Sequence, residues 1–188
     1  MHTIESIKPL LISSDYGDNK SLGQPLGLKT IGIVKVKTIN GEYGFGESYI
    51  AIYVPELFEN LVNYIGKYLI NKSFIDPREI YQSYFIPFCS TNGLLASVYS
   101  AIDIALWEIT CKSSKLSLND FLKLEKNNNL NFYFSGGSAA YNPDEISQEI
   151  EGINTKIFKG YKMRIGKANW EYDLKRIESA RNKWNQYL

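Results

Sequence analysis

The sequence predicts an α+β region followed by the beginning of a parallel α/β sheet. Between residues 3 and 50, apolar and polar residues alternate in three short runs, a pattern typical of antiparallel strands. After residue 130 a strand pattern is followed by a helix pattern twice, which is typical of β/α units in a parallel sheet. Residues 115–129 are polar and lack periodicity, and we interpret them as a linker. We place the domain boundary near its end, between regions 1–128 and 129–188.

The composition is that of an ordinary globular protein. The 188 residues are 44% hydrophobic and 22% charged, and the formal net charge is +1. This charge balance does not favour nucleic acid or an anionic membrane surface as a partner, and no apolar run approaches the roughly 20 residues of a membrane span. We therefore predict no nucleic-acid partner, no membrane segment and, since no leader pattern opens the chain, a cytoplasmic location.

The histidine and cysteine content restricts the possible chemistry. His2 is the only histidine, which excludes Ser-His-Asp triads and multi-histidine metal sites. Cys89 and Cys111 form no CxxC pair, so buried free thiols are expected rather than a zinc or redox motif. Any proton transfer would depend on Lys, Asp, Glu or Tyr.

Three strands are predicted in the first region, over residues 3–12, 29–38 and 42–50. Residues 13–27 are rich in Ser, Asp, Gly, Asn and Pro, a composition typical of a mobile loop. Asn40 and Gly41 predict a tight hairpin between the second and third strands. In the third strand, Gly44 and Gly46 leave one face bare, so that another group can approach the backbone closely. Their spacing does not match a phosphate-binding loop.

Three helices follow. Pro55 occupies a tolerated first-turn position of a helix over 55–69, and Asp76 caps a second helix that extends to about residue 85. Apolar residues recur at i, i+3, i+4 and i+7 over 92–112, which predicts a third helix that is buried along most of its length. Its Asp103 is expected to bond a neighbouring helix or loop.

The second region is predicted to contain strands at 130–134 and 161–165. A helix capped at Asn142 extends to a break at Gly160, and Asn169 caps the last helix. On the second strand, Lys162 and Arg164 point to one face, while the apolar residues between and around them point to the other. Two cations on one face of an apolar strand indicate an anion site.

The order of these parts resembles the mandelate racemase and muconate lactonizing enzyme branch of the enolase superfamily. Four segments carry the resemblance: Gly-Phe-Gly-Glu at 44–47, Ser-Ala-Ile-Asp-Ile-Ala-Leu-Trp-Glu at 100–108, Tyr-Phe-Ser-Gly-Gly at 133–137 and Gly-Tyr-Lys-Met-Arg-Ile-Gly at 160–166. The resemblance covers essentially the whole chain, which corresponds to about the first half of a family member. It implies an α+β capping domain (antiparallel β-meander plus a three-helix segment), followed by the first two β/α units of an incomplete TIM-type barrel.

The resemblance also implies roles for individual residues. Residues 13–27 and 48–54 would form the lid and specificity loops over a carboxylate substrate. The family motif is Lys-x-Lys at the carboxyl end of the second barrel strand, where barrels of this type have their active site. Lys162 would contact the substrate carboxylate, and Arg164 stands where the family has the lysine base. This departure matters because a guanidinium stays protonated and is a poor base.

The cofactor implied by the resemblance is Mg²⁺, which family members bind through carboxylates on the third to fifth barrel strands. The chain ends before those strands, so we predict no metal ligands within it and expect the isolated chain to be inactive. Glu171, Asp173 and Glu178 lie on the last predicted helix, where acidic side chains are expected to be solvated.

Two β/α units would also leave a bare sheet edge at the 161–165 strand, because closing a barrel takes roughly 250 residues. A bare edge favours pairing with another chain, so a homo-oligomer or a complementing barrel chain is expected as partner.

Three hypotheses follow. The chain is the first part of an enzyme that abstracts a proton α to a carboxylate, as a sugar-acid dehydratase or racemase. Alternatively, it is a truncated or split remnant that serves as a non-catalytic oligomerisation or interaction domain. The third hypothesis is an unrelated α+β protein with chance motif matches, in which Lys162 and Arg164 are surface residues.

Overall fold

The computed structural model describes residues 1–15, 28–83, 92–125, 130–166 and 169–185. These residues fall into two units, one formed by the first three ranges and one by the last two. The first unit contains an antiparallel sheet with helices, and the second contains parallel strands with helices, which confirms the predicted fold class.

The sheet of the first unit has the strand order β3-β2-β1-β4. Its strands are β1 (His2–Asp15), β2 (Leu28–Thr38), β3 (Tyr43–Ser48) and the short β4 (Ser73–Phe74). Residues 13–15 extend β1 instead of beginning a loop, because they continue its register against β2 as far as the Asp15–Leu28 pair. The remaining residues of the predicted loop, 16–27, lie outside the described part of the chain.

The helices of the first unit are α1 (Pro55–Leu69), α2 (Pro77–Ser83), α3 (Gly93–Ser114) and α4 (Leu118–Phe121). The first three are the predicted ones, although the predicted end of the second helix falls outside the described residues. The short α4 was not predicted and lies within the expected linker. Ser117 caps it by accepting a hydrogen bond from the backbone N–H of Asp120 at 3.2 Å.

The core of the first unit lies where α1 and α3 pack against the sheet. Gly44 and Gly46 permit this packing: a Cβ at Gly46 would lie 1.8 Å from the Ala101 carbonyl oxygen, and one at Gly44 would lie 2.1 Å from that of Ala105. The group that approaches the backbone closely at these two glycines, as the sequence predicted, is therefore α3. By length and composition alone, α3 is long and apolar enough to span a membrane. Its buried residues belong to the core of the first unit.

The second unit contains β5 (Phe132–Ser135), α5 (Pro143–Glu151), β6 (Phe158–Lys162) and α6 (Trp170–Asn185), and β5 and β6 pair in parallel. Asn142 and Glu145 form a capping box at the start of α5. The predicted continuation of this helix to Gly160 is wrong. Gly152 ends the helix, and Gly160 lies within β6. The isoleucine spacing misled the prediction, because Ile153 is buried outside the helix and Ile157 is 54% exposed.

Candidate active site

The candidate site lies at the carboxyl ends of the parallel strands β5 and β6. Ser135 and Lys162 are register partners at these ends. The Lys162 ammonium donates a hydrogen bond to the Ser135 hydroxyl, with 3.3 Å between Nζ and Oγ. Sequence reasoning had not selected Ser135 as a site residue. Its position could have identified it as a candidate, because Ser135 ends one strand of a parallel pair and precedes two glycines at a turn.

Arg164 lies two residues beyond the end of β6. The strand was predicted over 161–165 but ends at Lys162. Lys162 and Arg164 are both exposed, while Tyr161 and Met163 pack against the core of the second unit, so the predicted alternation holds across these four residues. It fails at Ile165, which is 52% exposed.

A carboxylate on α5 holds the turn after β5. Glu149 Oε2 accepts a hydrogen bond from the Gly137 N–H at 2.7 Å and another from the Tyr161 hydroxyl. Gly137 has a φ of +58°, in the region that favours glycine. Burial, followed by the hydrogen bond to Glu149 and then its negative charge, raises the pKa of the Tyr161 hydroxyl. Tyr161 therefore stays neutral and acts as a donor.

A buried ion pair on α6 holds the segment after β6. The Asp173 and Arg176 side chains are 2% and 0% exposed, and 2.6 Å separates Oδ1 from Nη1. The expectation that Asp173 would be solvated is therefore wrong. The helix turns this side chain inward, where its Oδ2 accepts the Gly166 N–H at 2.7 Å. That hydrogen bond, followed by the Arg176 guanidinium, lowers the pKa of the Asp173 carboxyl.

The acidic residues of the described chain do not form a metal centre. Glu171 and Glu178 are exposed on α6, as expected. In residues 1–15, 28–83, 92–125, 130–166 and 169–185, no group of three His, Cys, Asp or Glu side chains is arranged to hold a metal ion. These residues therefore do not fit a bound Mg²⁺ by themselves.

An open groove of about 450 Å³ is lined by β6, the residues that follow it and α6. Its apolar lining comes from the β6 side and from α6, and includes Tyr161, Met163, Ile165, Ile177 and Trp184. Within the described residues β6 pairs with β5 alone. The second unit thus presents an unpaired strand edge next to an apolar surface.

Two candidate residues of the first unit, Asp103 and Cys111, lie on α3. Asp103 bonds Trp107 on its own helix, and burial is the main cause of the raised pKa of its carboxyl. Among the described residues this partner replaces the expected bond to a neighbouring element. Cys111 is half-buried, and burial raises the pKa of its thiol. Cys89 lies outside the described residues.

The segment expected to act as a specificity loop, 48–54, contains a 3-10 helix at Tyr49–Ile52. Ile50 and Ala51 are buried, whereas Tyr49 and Tyr53 are each 57% exposed. Ser48 forms a 2.9 Å hydroxyl–hydroxyl hydrogen bond with Ser97 of α3, which attaches the start of the segment to the core.

Sequence comparisons connect the chain with sugar-acid dehydratases. It is 24% identical to the L-talarate/galactarate dehydratase of Salmonella typhimurium and 27% identical to the arabinonate dehydratase of Saccharolobus solfataricus. The alignments cover 84% and 78% of this chain and 40% of each relative. No protein-family model matches the sequence. The chain thus spans well under half the length of these curated relatives.

Solved structures share the fold over nearly the whole chain. The 3,6-anhydro-D-galactonate cycloisomerase of Zobellia galactanivorans is 27% identical, with a TM-score of 0.80 over 96% of this chain and 48% of its own. An enolase from the alpha-proteobacterium BAL199, solved with bound Mg, is 18% identical, with a TM-score of 0.80 over 97% of this chain and 52% of its own.

These matches contradict the hypothesis of chance motif resemblance. The sequence alignments with the two dehydratases cover 84% and 78% of this chain, and the two solved structures align over 96% and 97% of it. The chain is thus similar in sequence to sugar-acid dehydratases, and it shares the fold of about half of an enolase-superfamily enzyme.

Proposed function

We propose that the chain supplies the substrate-carboxylate end of an active site that abstracts a proton α to a carboxylate, in a sugar-acid dehydratase or racemase. One observation carries the proposal: Lys162 and Ser135 meet at the carboxyl ends of parallel strands, and Arg164 follows two residues later. Loops at this end of a parallel sheet surround the active sites of TIM-type barrels. The sugar-acid substrates in the names of the curated relatives support a substrate of that class.

Lys162 is proposed to bind the substrate carboxylate. Its ammonium is exposed and is held beside the Ser135 hydroxyl, so the two groups can donate hydrogen bonds to two oxygens of one anion. An ammonium is a compact point charge that suits an anionic oxygen. The Ser135 hydroxyl would add direction to this contact.

Arg164 is proposed to stabilise negative charge instead of accepting the proton. Removing the α-proton leaves its electron pair on the substrate as an enolate, and a fixed cation beside the developing charge lowers the barrier. Because a guanidinium remains protonated, the base that takes the proton must be another group. By the family resemblance, that base would come from a later part of the barrel.

Mg²⁺ is proposed as the cofactor of the complete enzyme. A solved structure of the same fold contains bound Mg. Since the described residues of this chain do not fit the ion, its ligands would come from elsewhere in the complete enzyme. The ion would supply electrostatic stabilisation to the substrate oxygens.

The test is complementation with a barrel segment. The 188-residue chain is co-expressed with the C-terminal segment of the S. solfataricus arabinonate dehydratase, and the purified mixture is assayed with Mg²⁺ on a panel of sugar acids. We expect dehydration with the wild-type chain and its loss with Lys162→Ala. Lys159→Ala is the matched control, because Lys159 is also exposed on β6 but bonds the Thr155 carbonyl near the amino end of the strand. Equal activity of the two variants would contradict the role of Lys162.

The chain assayed by itself is expected to show no turnover of the same sugar acids. The physical reason is that its described residues hold no site for Mg²⁺. Magnesium-dependent dehydration by the purified chain alone, lost on Lys162→Ala, would overturn this expectation.

The open edge of β6 favours a second candidate function, a non-catalytic interaction domain. An unpaired strand bordered by an apolar groove is a template for pairing with another chain. Size-exclusion chromatography with light scattering tests this candidate, which predicts self-association. Ile165→Lys should weaken the association by placing a charge at the groove. A wild-type monomer at high concentration would count against the interaction domain.

A further inference from the structure

Arg164 lies beyond β6, which ends two residues earlier, so hydrogen bonds outside the strand pairing hold its backbone. Its backbone N–H donates to the Gly137 carbonyl at 2.9 Å. Its own carbonyl accepts a hydrogen bond from Arg176 Nη1 at 3.1 Å. Both backbone polar groups of Arg164 are therefore bonded while its guanidinium is exposed.

The buried Arg176 joins the segments that follow the two strands. Nε donates to the Tyr141 carbonyl at 2.8 Å and Nη2 to the Ser138 carbonyl at 2.7 Å, and both acceptors follow β5. The Arg164 carbonyl follows β6. One planar guanidinium thus fixes the spacing between two strand-end segments.

Asp173 completes this arrangement. One of its oxygens neutralises Arg176, and the other accepts the N–H of Gly166, whose φ is +94°. Burying an ion pair is a costly way to fill a core, since apolar residues of similar volume often stabilise a protein more. The hydrogen bonds of the Asp173–Arg176 pair nevertheless converge on the backbone around Arg164. This indicates that the pair fixes the geometry of that backbone.

We propose that Asp173 and Arg176 are positioning residues for the active site, which set the backbone of residues 164–166 and thereby direct the Arg164 guanidinium toward the substrate. The catalytic consequence rests on the proposed function, whereas the structural consequence can be measured in the chain alone. Neither residue touches the substrate itself.

The structural arm of the test compares Arg176→Lys with Arg181→Lys. Lysine at 176 keeps the charge beside Asp173 but cannot reach three carbonyls, and Arg181 is an exposed control on the same helix. In residue-resolved amide hydrogen exchange, Arg176→Lys should accelerate exchange of the Arg164 and Gly166 amides about tenfold or more, as expected for lost charged hydrogen bonds. The Ile150 amide in α5 should change much less.

Asp173→Asn provides a second variant if Arg176→Lys fails to fold. It keeps the size of the side chain but removes the charged acceptor, so the Gly166 amide should again exchange faster than that of Ile150. Unchanged exchange at residues 164 and 166, or an equal acceleration at all three amides, would overturn the inference.

The catalytic arm uses the complementation mixture. Because Arg164 is proposed to stabilise charge that develops when the proton is removed, Arg176→Lys should lower kcat per folded molecule about tenfold, the effect of one charged hydrogen bond, and leave KM nearly unchanged. The folded fraction is measured by circular dichroism, so that a smaller amount of folded chain is not counted as a loss of kcat. An unchanged kcat would contradict the catalytic consequence. If the wild-type mixture shows no turnover, the proposed function fails, and hydrogen exchange still decides whether the pair positions residues 164–166.

Discussion

Two glycines on β3 determine how closely α3 approaches the sheet. A Cβ at either position would overlap a backbone carbonyl of the helix, and a backbone atom cannot move aside as a side chain can. Neither Gly44 nor Gly46 has a positive φ, so these positions do not need glycine for its backbone conformation. They need it because it has no side chain.

Gly46→Ala should therefore force α3 away from the sheet. We expect a loss of roughly 1–3 kcal/mol or more in the free energy of unfolding, as for other overpacked cores. Urea denaturation checks the value. Gly152→Ala is the control, because its Cβ would lie 3.6 Å from the Glu149 carbonyl oxygen, an ordinary contact. A loss of equal size in the control would contradict the steric argument.

Glu149 tunes the ionisation of Tyr161 while holding the turn after β5. In Glu149→Gln the negative charge beside the phenol disappears, so the pKa of Tyr161 should fall toward its ordinary value but remain above it, because burial, the larger cause, persists. NMR titration of ¹³Cζ-labelled tyrosine measures the change. Glu178→Gln, at an exposed position of α6, should leave the Tyr161 titration unchanged.

At the scale of elements, Glu42, which lies just before β3, connects β1 to α3. Its Oε2 bonds His2 Nδ1 on β1 at 2.7 Å, and its Oε1 accepts the hydroxyl of Ser113 on α3 at 2.7 Å. The Ser113 hydrogen bond is the largest single cause of the lowered pKa of the Glu42 carboxyl, and the contacts with His2 also lower it. The ionised carboxylate is thus favoured in the folded state.

A depressed carboxyl pKa contributes stability that is present above the unfolded pKa and is lost as the pH falls through the folded value. For Glu42 the loss should begin below its ordinary pKa of 4.5. Glu42→Gln should therefore be less stable than the wild type near neutral pH, and the difference should shrink as the pH falls below this value. Urea midpoints measured across this range test the prediction, with Glu5→Gln as a control from an exposed ion pair with Lys37. A difference independent of pH would contradict it.

At the scale of the whole molecule, the two units differ in how completely they bury apolar surface. The core of the first unit joins residues from the sheet and from α1, α2 and α3, whereas the core of the second unit is small and opens to a groove. Because burial of apolar area is the main source of stability, the second unit should unfold first.

Core substitutions in each unit test this order. Ile146→Ala should destabilise the second unit by about 2–5 kcal/mol and leave the first largely unaffected, and Ile102→Ala should do the reverse. Amide hydrogen exchange across a denaturant series follows both units in one sample. A single transition shifted equally by both substitutions would show that the units unfold together.

Much of the fold could be predicted from local patterns. The Asn40–Gly41 hairpin, the Pro55 helix start and the caps at Asn142 and Asn169 depend on residues near in sequence, and they are found where predicted. The ends of elements were less predictable. The strand β6 ends at Lys162, where its pairing with β5 stops, although the apolar spacing continues to Ile165. The helix α5 ends at Glu151, before Gly152, although the isoleucine spacing continues to Ile157.

The candidate site was predictable in part. The sequence by itself determined that Lys162 and Arg164 are both exposed near a strand end, since alternation along a strand is a local property. Only the tertiary structure decided that Ser135 meets Lys162, that Glu149 holds Gly137, and that Asp173 and Arg176 are buried beneath Arg164. The physical reason is that Asp173 and Arg176 are neighbours on one helix face, and whether that face is solvated or buried depends on the rest of the fold. The backbone groups that compensate their burial come from the segments after β5 and β6.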